Sequence, residues 1–163
     1  MHGNSFINSD RRPQCTKGLV GPAQSQRDIS RLEDYLEAIY NLDKKKGFVS
    51  AADISELLGV KPPTVSIMVA RLAEKGYLVH QRYRGMKLTD KGLAVARSVI
   101  RRHETIYELL SMLGIDGKVA YEDAEGIEHH LHPATINKFE RLVEFLRQNR
   151  KTFDEVRRAV EAR

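Results

Sequence analysis

The stretch SAADISELLGVKPPTVSIMVARLAEKGYLVHQRYRGMKL, residues 50–88, decides the fold of this chain. Ser50 stands before a short apolar-periodic segment in the pattern of a helix start, and Gly59 is placed to end that helix. Pro62 opens a second helix, because a proline in the first turn gives up an N–H group that has no helical partner. Two short apolar runs follow, and Gly85 between them suits a tight hairpin turn.

A longer amphipathic helix is predicted just before this stretch, over residues 29–43, from the spacing of its leucine, isoleucine and tyrosine side chains. The hairpin strands are predicted over residues 77–81 and 86–88. The resulting order is helix, short helix, glycine turn, helix and hairpin. That order is typical of a winged helix-turn-helix domain, whose third helix is the candidate for the major groove of DNA.

Four more helices are predicted after the hairpin. Thr89 is placed to cap the first of them, and a break at His132 and Pro133 separates the second from the third. The predicted ranges are about 89–113, 118–131, 133–148 and 152–162.

The net charge of +5 is unevenly distributed along the chain. Residues 61–102 carry ten basic and two acidic side chains, whereas residues 103–163 carry nine basic and twelve acidic ones. The basic middle indicates binding to an anionic polymer, and the acidic end indicates binding to cations. No apolar run approaches the about 20 residues that cross a bilayer. With no secretory signal and a single cysteine, Cys15, a cytoplasmic location away from membranes is expected.

Short polar and basic side chains are grouped where a winged helix meets double-stranded DNA. Those on the third helix can reach base edges or phosphates, and its N-terminus is expected to accept a phosphate oxygen. Those on the hairpin turn form a basic wing. The candidate DNA contacts are Lys61, Pro62, Thr64, Ser66 and Arg71 on the helix, and Arg82, Tyr83 and Arg84 on the wing.

A second group of residues has the chemistry of a metal site. The segment EGIEHH, residues 125–130, places two carboxylates and an imidazole on one helical face. Such oxygen-rich sets with imidazoles suit Mn²⁺ and Fe²⁺, and also accept Co²⁺, Zn²⁺ or Cd²⁺. Six ligands are enough for two metals bridged by a carboxylate. The candidate ligands are Asp34, Glu37, His103, Glu125, Glu128 and His129.

Gly126 lies inside this predicted helix, where a glycine costs about 1 kcal/mol relative to alanine. We expect a close backbone approach or a distorted turn at this position to offset that cost.

The predicted fold class is mainly α, with an N-terminal winged helix-turn-helix domain plus a C-terminal helical dimerisation domain. Residues 1–28, rich in Ser, Asn, Gln, Gly and Pro, are expected to be a flexible tail. Residues 29–98 are assigned to the DNA-binding domain, and residues 99–163 to metal-binding and dimerisation helices.

Taken together, these motifs resemble those of the manganese transport regulators, the short branch of the diphtheria toxin repressor family. The resemblance covers roughly residues 31–146. Its strongest stretches are LEDYLEAIY at 32–40, YRGMKLTDKG at 83–92, RHE at 102–104 and DAEGIEHHL at 123–131.

The resemblance implies a homodimeric, Mn²⁺-responsive repressor of manganese uptake genes that binds a palindromic operator and is not an enzyme. It also implies that the six candidate ligands hold two Mn²⁺ ions per subunit. Asp34 and Glu125 stand where iron-sensing relatives carry methionine and cysteine, so that hard oxygen replaces soft sulfur. Without metal, the clustered carboxylates are expected to repel one another and let the DNA-binding part swing.

Apolar side chains in the last third of the chain are divided between the dimer contact and the core of each subunit, and the sequence does not sort them. They are Ile115, Val119, Ile127, Leu131, Ile136, Phe139, Leu142 and Phe145.

Three other functions are compatible with parts of the pattern. An iron-responsive repressor of the same family would share most ligands, although Asp34 and Glu125 argue against it. A winged-helix regulator of an organic ligand would need an apolar pocket instead of a metal cluster. A small di-metal enzyme would need a general acid or nucleophile beside the carboxylates, and no such residue stands out.

Overall fold

The computed structural model describes residues 22–81 and 85–161, which form seven helices and one hairpin. The first helix begins at Pro22, so residues 22–28 are helical and the predicted start of that helix at residue 29 is wrong. The elements are α1 (Pro22–Lys46), α2 (Ala51–Leu58), α3 (Pro62–Glu74), β1 (Leu78–Gln81), β2 (Gly85–Leu88), α4 (Asp90–Met112), α5 (Gly117–Ile127), α6 (Pro133–Gln148) and α7 (Arg150–Glu161).

The helix-turn-helix forms as its sequence predicts. The Ser50 hydroxyl accepts the backbone N–H of Asp53, whose carboxylate accepts the N–H of Ser50 in return, so a capping box begins α2. Gly59 ends α2 in the left-handed conformation, with φ of 63°. The chain then turns into α3 at the two prolines.

The two strands of the wing pair antiparallel, with Leu78 opposite Leu88. Gly85 has φ of 67°, and a Cβ built there would lie 2.3 Å from the carbonyl oxygen of Val49. The same carbonyl accepts the N–H of Met86, which joins the wing to the segment before α2. A glycine is therefore required at residue 85 both by the turn and by this close approach.

The long helix α4 connects two hydrophobic cores. Its N-terminal part packs on the winged-helix core, which includes Leu36, Ile54, Leu72 and Leu78. Its C-terminal part contributes Ile106 to a smaller core with Ala124 and Ile136. The DNA-binding part and the C-terminal helices are thus joined by one continuous helix as well as by side-chain contacts.

The helix α5 ends at Ile127, earlier than the predicted end at Leu131. The N–H of His130 bonds to the carbonyl of Ile127, so the chain leaves the helix through a tighter turn. The following His132 is extended and caps α6 through its imidazole, which accepts the N–H of Ala134. The residue before a proline disfavours helical geometry, which accounts for the extended His132.

Gly126 makes no close backbone approach, and a tighter turn begins at the next residue. A Cβ added there would touch nothing within 4 Å, and its φ is not positive. The expectation of a close backbone approach at this glycine is therefore wrong. No helix in the described part of the chain is long and apolar enough to cross a membrane.

Candidate metal centre and nucleic-acid interface

Glu128 is the buried centre of the candidate metal site. It lies just after α5, and only 1% of its surface is exposed. Its Oε2 lies 3.0 Å from Nδ1 of His103, and its Oε1 lies 3.3 Å from Nε2 of His129. Burial is the main cause that raises the pKa of Glu128 to about 8. Among the described residues, Oε1 makes no hydrogen bond, although the His129 imidazole lies within ion-pair distance, and a divalent cation would satisfy this buried oxygen.

One group of ligand atoms gathers around His103 on α4. One atom each from His103, Glu125 and Glu128 lies within 4.8 Å of the others. Nδ1 of His103 lies 3.4 Å from Oε2 of Glu125. The imidazole is flanked by the rings of Tyr107 and Tyr121, with centroid distances of 6.4 Å and 4.6 Å, which limit its rotation.

A second group of ligand atoms gathers around His129, which follows Glu128. Its Nε2 lies 3.1 Å from Oδ1 of Asp34 on α1, and its Nδ1 lies 2.9 Å from Oε2 of Glu33. Hydrogen bonds to Asp34 and then to Glu33 raise the pKa of His129 to about 10. His129 thus links α1 to the end of α5 through its contacts with Asp34 and Glu33. Carboxylate repulsion is therefore not the only force between these two parts.

Glu37 completes the six predicted ligands. Together with Asp34, Tyr121 and Glu125 it lines a cavity of about 220 Å³ that opens beside the cluster. Burial raises the pKa of Glu37, and the carboxylates of Glu125 and Asp34 raise it further. This crowding of negative charge is what a divalent cation would relieve.

Glu33 and Arg102 were not predicted as part of the site. Glu33 Oε2 accepts a hydrogen bond from Nη2 of Arg102 at 2.7 Å as well as contacting His129. Burial alone would raise the pKa of Glu33, but the bonds from His129 and Arg102 lower it. Each residue directly precedes a predicted ligand in the sequence and lies in a stretch that carries the family resemblance, and these are the signals that could have pointed to them.

The six predicted ligands come together from three separate places. Asp34 and Glu37 lie on α1, His103 lies on α4, and the remaining three lie at the end of α5. The four carboxylates and two imidazoles offer hard oxygen and nitrogen donors, and Glu128 supplies an unsatisfied buried oxygen. The residues therefore fit a divalent cation.

The outer face of α3 is the candidate nucleic-acid interface. Its predicted contact residues are all exposed: Lys61, Pro62, Thr64, Ser66 and Arg71. The Ser66 hydroxyl donates to the carbonyl of Pro62 at 3.2 Å, which leaves it free to accept. The predicted wing contacts Arg82, Tyr83 and Arg84 lie outside the described residues.

The first turn of α3 offers few backbone donors for a phosphate. Pro62 and Pro63 lack an N–H group, and those of Thr64 and Val65 bond to the carbonyl of Lys61. Phosphate binding at this helix end stays a prediction, with the side chains of α3 as further candidate contacts.

Comparison with known proteins identifies both halves of the chain. Residues 29–86 match the family described as iron dependent repressor, N-terminal DNA binding domain. Residues 89–152 match the iron dependent repressor, metal binding and dimerisation domain. The chain belongs to the iron-dependent repressor family. As a member, it is a metal-dependent DNA-binding transcriptional repressor and not an enzyme.

Named relatives within this family are close in sequence. The HTH-type transcriptional regulator MntR of Shouchella clausii (strain KSM-K16) is 40% identical over 126 residues, covering 77% of this chain and 88% of the relative. The regulator of the same name from Bacillus subtilis (strain 168) is 39% identical over 118 residues, covering 72% and 83%.

Solved structures of this family share the fold. The manganese regulator SloR aligns with a TM-score of 0.62 at 30% identity, over 70% of this chain and 54% of that one. The IdeR of T. acidophilum aligns with a TM-score of 0.60 at 34% identity, over 68% and 53%. The chain thus spans about half the length of these solved structures.

The structure sorts the apolar residues that the sequence could not. Ile136 is buried, and Leu131 and Phe139 pack on the small core around Ile106. The remaining five side chains are exposed in the single chain: Ile115, Val119, Ile127, Leu142 and Phe145.

Proposed function

We propose that this protein is a Mn²⁺-responsive repressor of manganese uptake genes, acting in the cytoplasm as a homodimer on a palindromic operator. The observation that carries the proposal is the buried Glu128 carboxylate, whose two oxygens face imidazoles from different elements. The names of the relatives, which include MntR and the manganese regulator SloR, support manganese as the metal.

We infer two metal positions that share Glu128. His103 and Glu125 stand on the side of its Oε2, and Asp34 and His129 stand on the side of its Oε1. Glu37 lines the cavity beside both Asp34 and Glu125. Glu128 would then contribute to both positions, and the six residues together would hold a pair of divalent ions. Both ions when bound would neutralise the clustered carboxylates.

Metal choice follows from the donor atoms. Asp34 and Glu125 contribute oxygen, and no sulfur ligand lies among the six residues proposed to bind metal. Raw affinity would favour Zn²⁺ over Mn²⁺, so selectivity would depend on a higher coordination number than tetrahedral zinc prefers. Fe²⁺, Co²⁺, Zn²⁺ and Cd²⁺ would bind in vitro and differ in the response they produce.

The site explains how metal would control DNA binding. Ligands on α1 belong to the DNA-binding part, whereas those at the end of α5 belong to the dimerisation part. Metal would fix the two parts relative to each other and select the spacing of about 34 Å between recognition helices that two half-sites require. Coupling of this kind is typically about 1–3 kcal/mol, which corresponds to about 5–150-fold in DNA affinity.

Glu33 is proposed as a positioning residue for this site. It accepts from Nδ1 of His129 and so turns Nε2 toward Asp34 and Glu128. Arg102 holds the Glu33 carboxylate in place. A carboxylate behind a ligating histidine fixes the ring orientation and raises its basicity.

The test is a mobility-shift titration at fixed salt with chelator, Mn²⁺, Fe²⁺ and Zn²⁺ in turn. The DNA is a duplex that the protein selects from a random pool in Mn²⁺. The salt concentration is held fixed because it sets the nonspecific background. Tight binding with Mn²⁺ and not with chelator supports the proposal. A stronger response to Fe²⁺ would support the iron-responsive alternative, and binding indifferent to every metal would contradict the proposal.

A further inference from the structure

The outward face of α3 carries one large apolar side chain among polar ones. Ile67 is 60% exposed, more than any other large apolar side chain in residues 28–80 and 85–161. The opposite face of the helix, including Val65 and Leu72, is buried in the winged-helix core. Packing within the chain therefore does not explain an isoleucine at this position.

Ile67 stands inside the surface that would read DNA, and not at its edge. Thr64 lies three residues before it and Arg71 four residues after it, so the three side chains share one helical face. Both neighbours are exposed and can hydrogen-bond to bases or phosphates. An isoleucine has no donor or acceptor and can make neither contact.

The major groove offers one apolar group to such a side chain. Each of the four base-pair arrangements shows a distinct pattern of donors and acceptors, and thymine alone adds a methyl group. Covering that methyl group and Ile67 together removes apolar surface from water on both sides of the interface. A lysine, glutamine or serine at residue 67 would bury less apolar surface against the thymine methyl group.

We infer that Ile67 is a specificity-determining residue that contacts a thymine methyl group in each half of the operator. The inference rests on the proposed placement of α3 in the major groove. The dimer presents two copies of α3. The inference therefore requires a thymine at two symmetric positions of the operator. One buried methyl contact corresponds to about fourfold in Kd for each half-site.

Replacing thymine by deoxyuridine tests this directly, because it removes the methyl group and leaves the hydrogen-bonding pattern unchanged. The probe is the duplex selected by the wild-type protein in Mn²⁺, with each thymine replaced in turn and then in symmetric pairs. Binding is measured for the wild type, Ile67→Ala and the control Val160→Ala. Val160 is an exposed aliphatic residue on α7, away from the DNA-binding part.

At one symmetric position, the replacement is expected to weaken wild-type and Val160→Ala binding about fourfold for each half-site. The Ile67→Ala variant should bind the thymine duplex about fourfold more weakly for each half-site than the wild type does. Its affinity should not fall further when that thymine is replaced by deoxyuridine. Equal sensitivity of wild type and Ile67→Ala, or no sensitive thymine at all, would overturn the inference while leaving the metal-dependent repressor intact. If Mn²⁺ supports no sequence selection from the pool, both the inference and the proposed function fail.

Discussion

At the scale of single residues, Glu33 joins more of the site than any predicted ligand on α1. It contacts Arg102 on α4 and His129 after α5 at the same carboxylate oxygen. The spacing i, i+3 and i+4 singled out Glu125, Glu128 and His129 as candidate ligands on one helical face, and only the joint pattern added His103. Glu33 and Arg102 could not be predicted from spacing, since their partners are distant in sequence and only the tertiary fold brings them together.

Substitution of Glu33 by alanine is expected to weaken Mn²⁺ binding about 10–100-fold, because His129 loses the group that orients its ring. Glu33→Gln should fall between this variant and the wild type, since an amide oxygen still accepts from Nδ1. Calorimetric titration with Mn²⁺ measures the effect. The control is Glu122→Ala, which removes an exposed carboxylate on α5. A Glu33→Ala protein that binds Mn²⁺ as tightly as this control would show that Glu33 has no positioning role.

Gly126 gives the opposite lesson at the same scale. Its place among the ligands of EGIEHH led us to expect a backbone constraint, yet neither its φ nor its surroundings impose one. We therefore predict that Gly126→Ala raises stability by about 0.5–1 kcal/mol, through the lower entropy of the unfolded chain. Thermal unfolding of the metal-free protein measures it, with unchanged Mn²⁺ affinity as the second readout. A large loss of stability would mean that the glycine is needed after all.

At the scale of elements, helix boundaries with a local capping pattern were more predictable than those without one. The capping box of α2 and the threonine cap of α4 are local, so their sequence patterns are sufficient. Residues 128–131 continue the helical periodicity, so the sequence pattern does not show that α5 ends at Ile127. The early start of α1 lies in a polar segment whose composition alone favours a tail.

The capping box of α2 makes a prediction for the stability of the DNA-binding part. Ser50→Ala is expected to lower the free energy of unfolding by about 1 kcal/mol.

Lys46 and Ser50 depress the pKa of Asp53 below its ordinary value of 3.8. The Asp53 contribution is therefore fully present above about pH 4 and is lost as the pH falls further, because the unfolded state then takes up the proton first. Chemical unfolding of wild type and Asp53→Asn between pH 3 and pH 6 measures this, and an unchanged gap between the two proteins across that range would contradict it.

At the scale of the whole molecule, the exposed apolar side chains of the C-terminal helices define the candidate dimer face. In the single chain, Phe145 on α6 is 50% exposed and Leu142, one turn before it, is 43% exposed. Both lie in the part of the chain that matches a dimerisation domain, so a second subunit is expected to cover them. We predict that Phe145→Lys raises the dimer dissociation constant at least about 100-fold, because a charge would be buried in the contact. Sedimentation at micromolar concentration measures it, with Ile29→Lys on α1 as the control. A Phe145→Lys protein that remains a dimer would exclude this face.

The central claim is that metal held between α1, α4 and α5 couples the dimerisation part to DNA binding. The most direct test is the DNA affinity of wild type and Glu125→Ala with Mn²⁺ and with chelator, at one salt concentration. We predict that Mn²⁺ tightens wild-type binding about 5–150-fold and leaves Glu125→Ala near its chelator value, with both proteins folded and dimeric. A Glu125→Ala protein that responds to Mn²⁺ as fully as the wild type would contradict the claim.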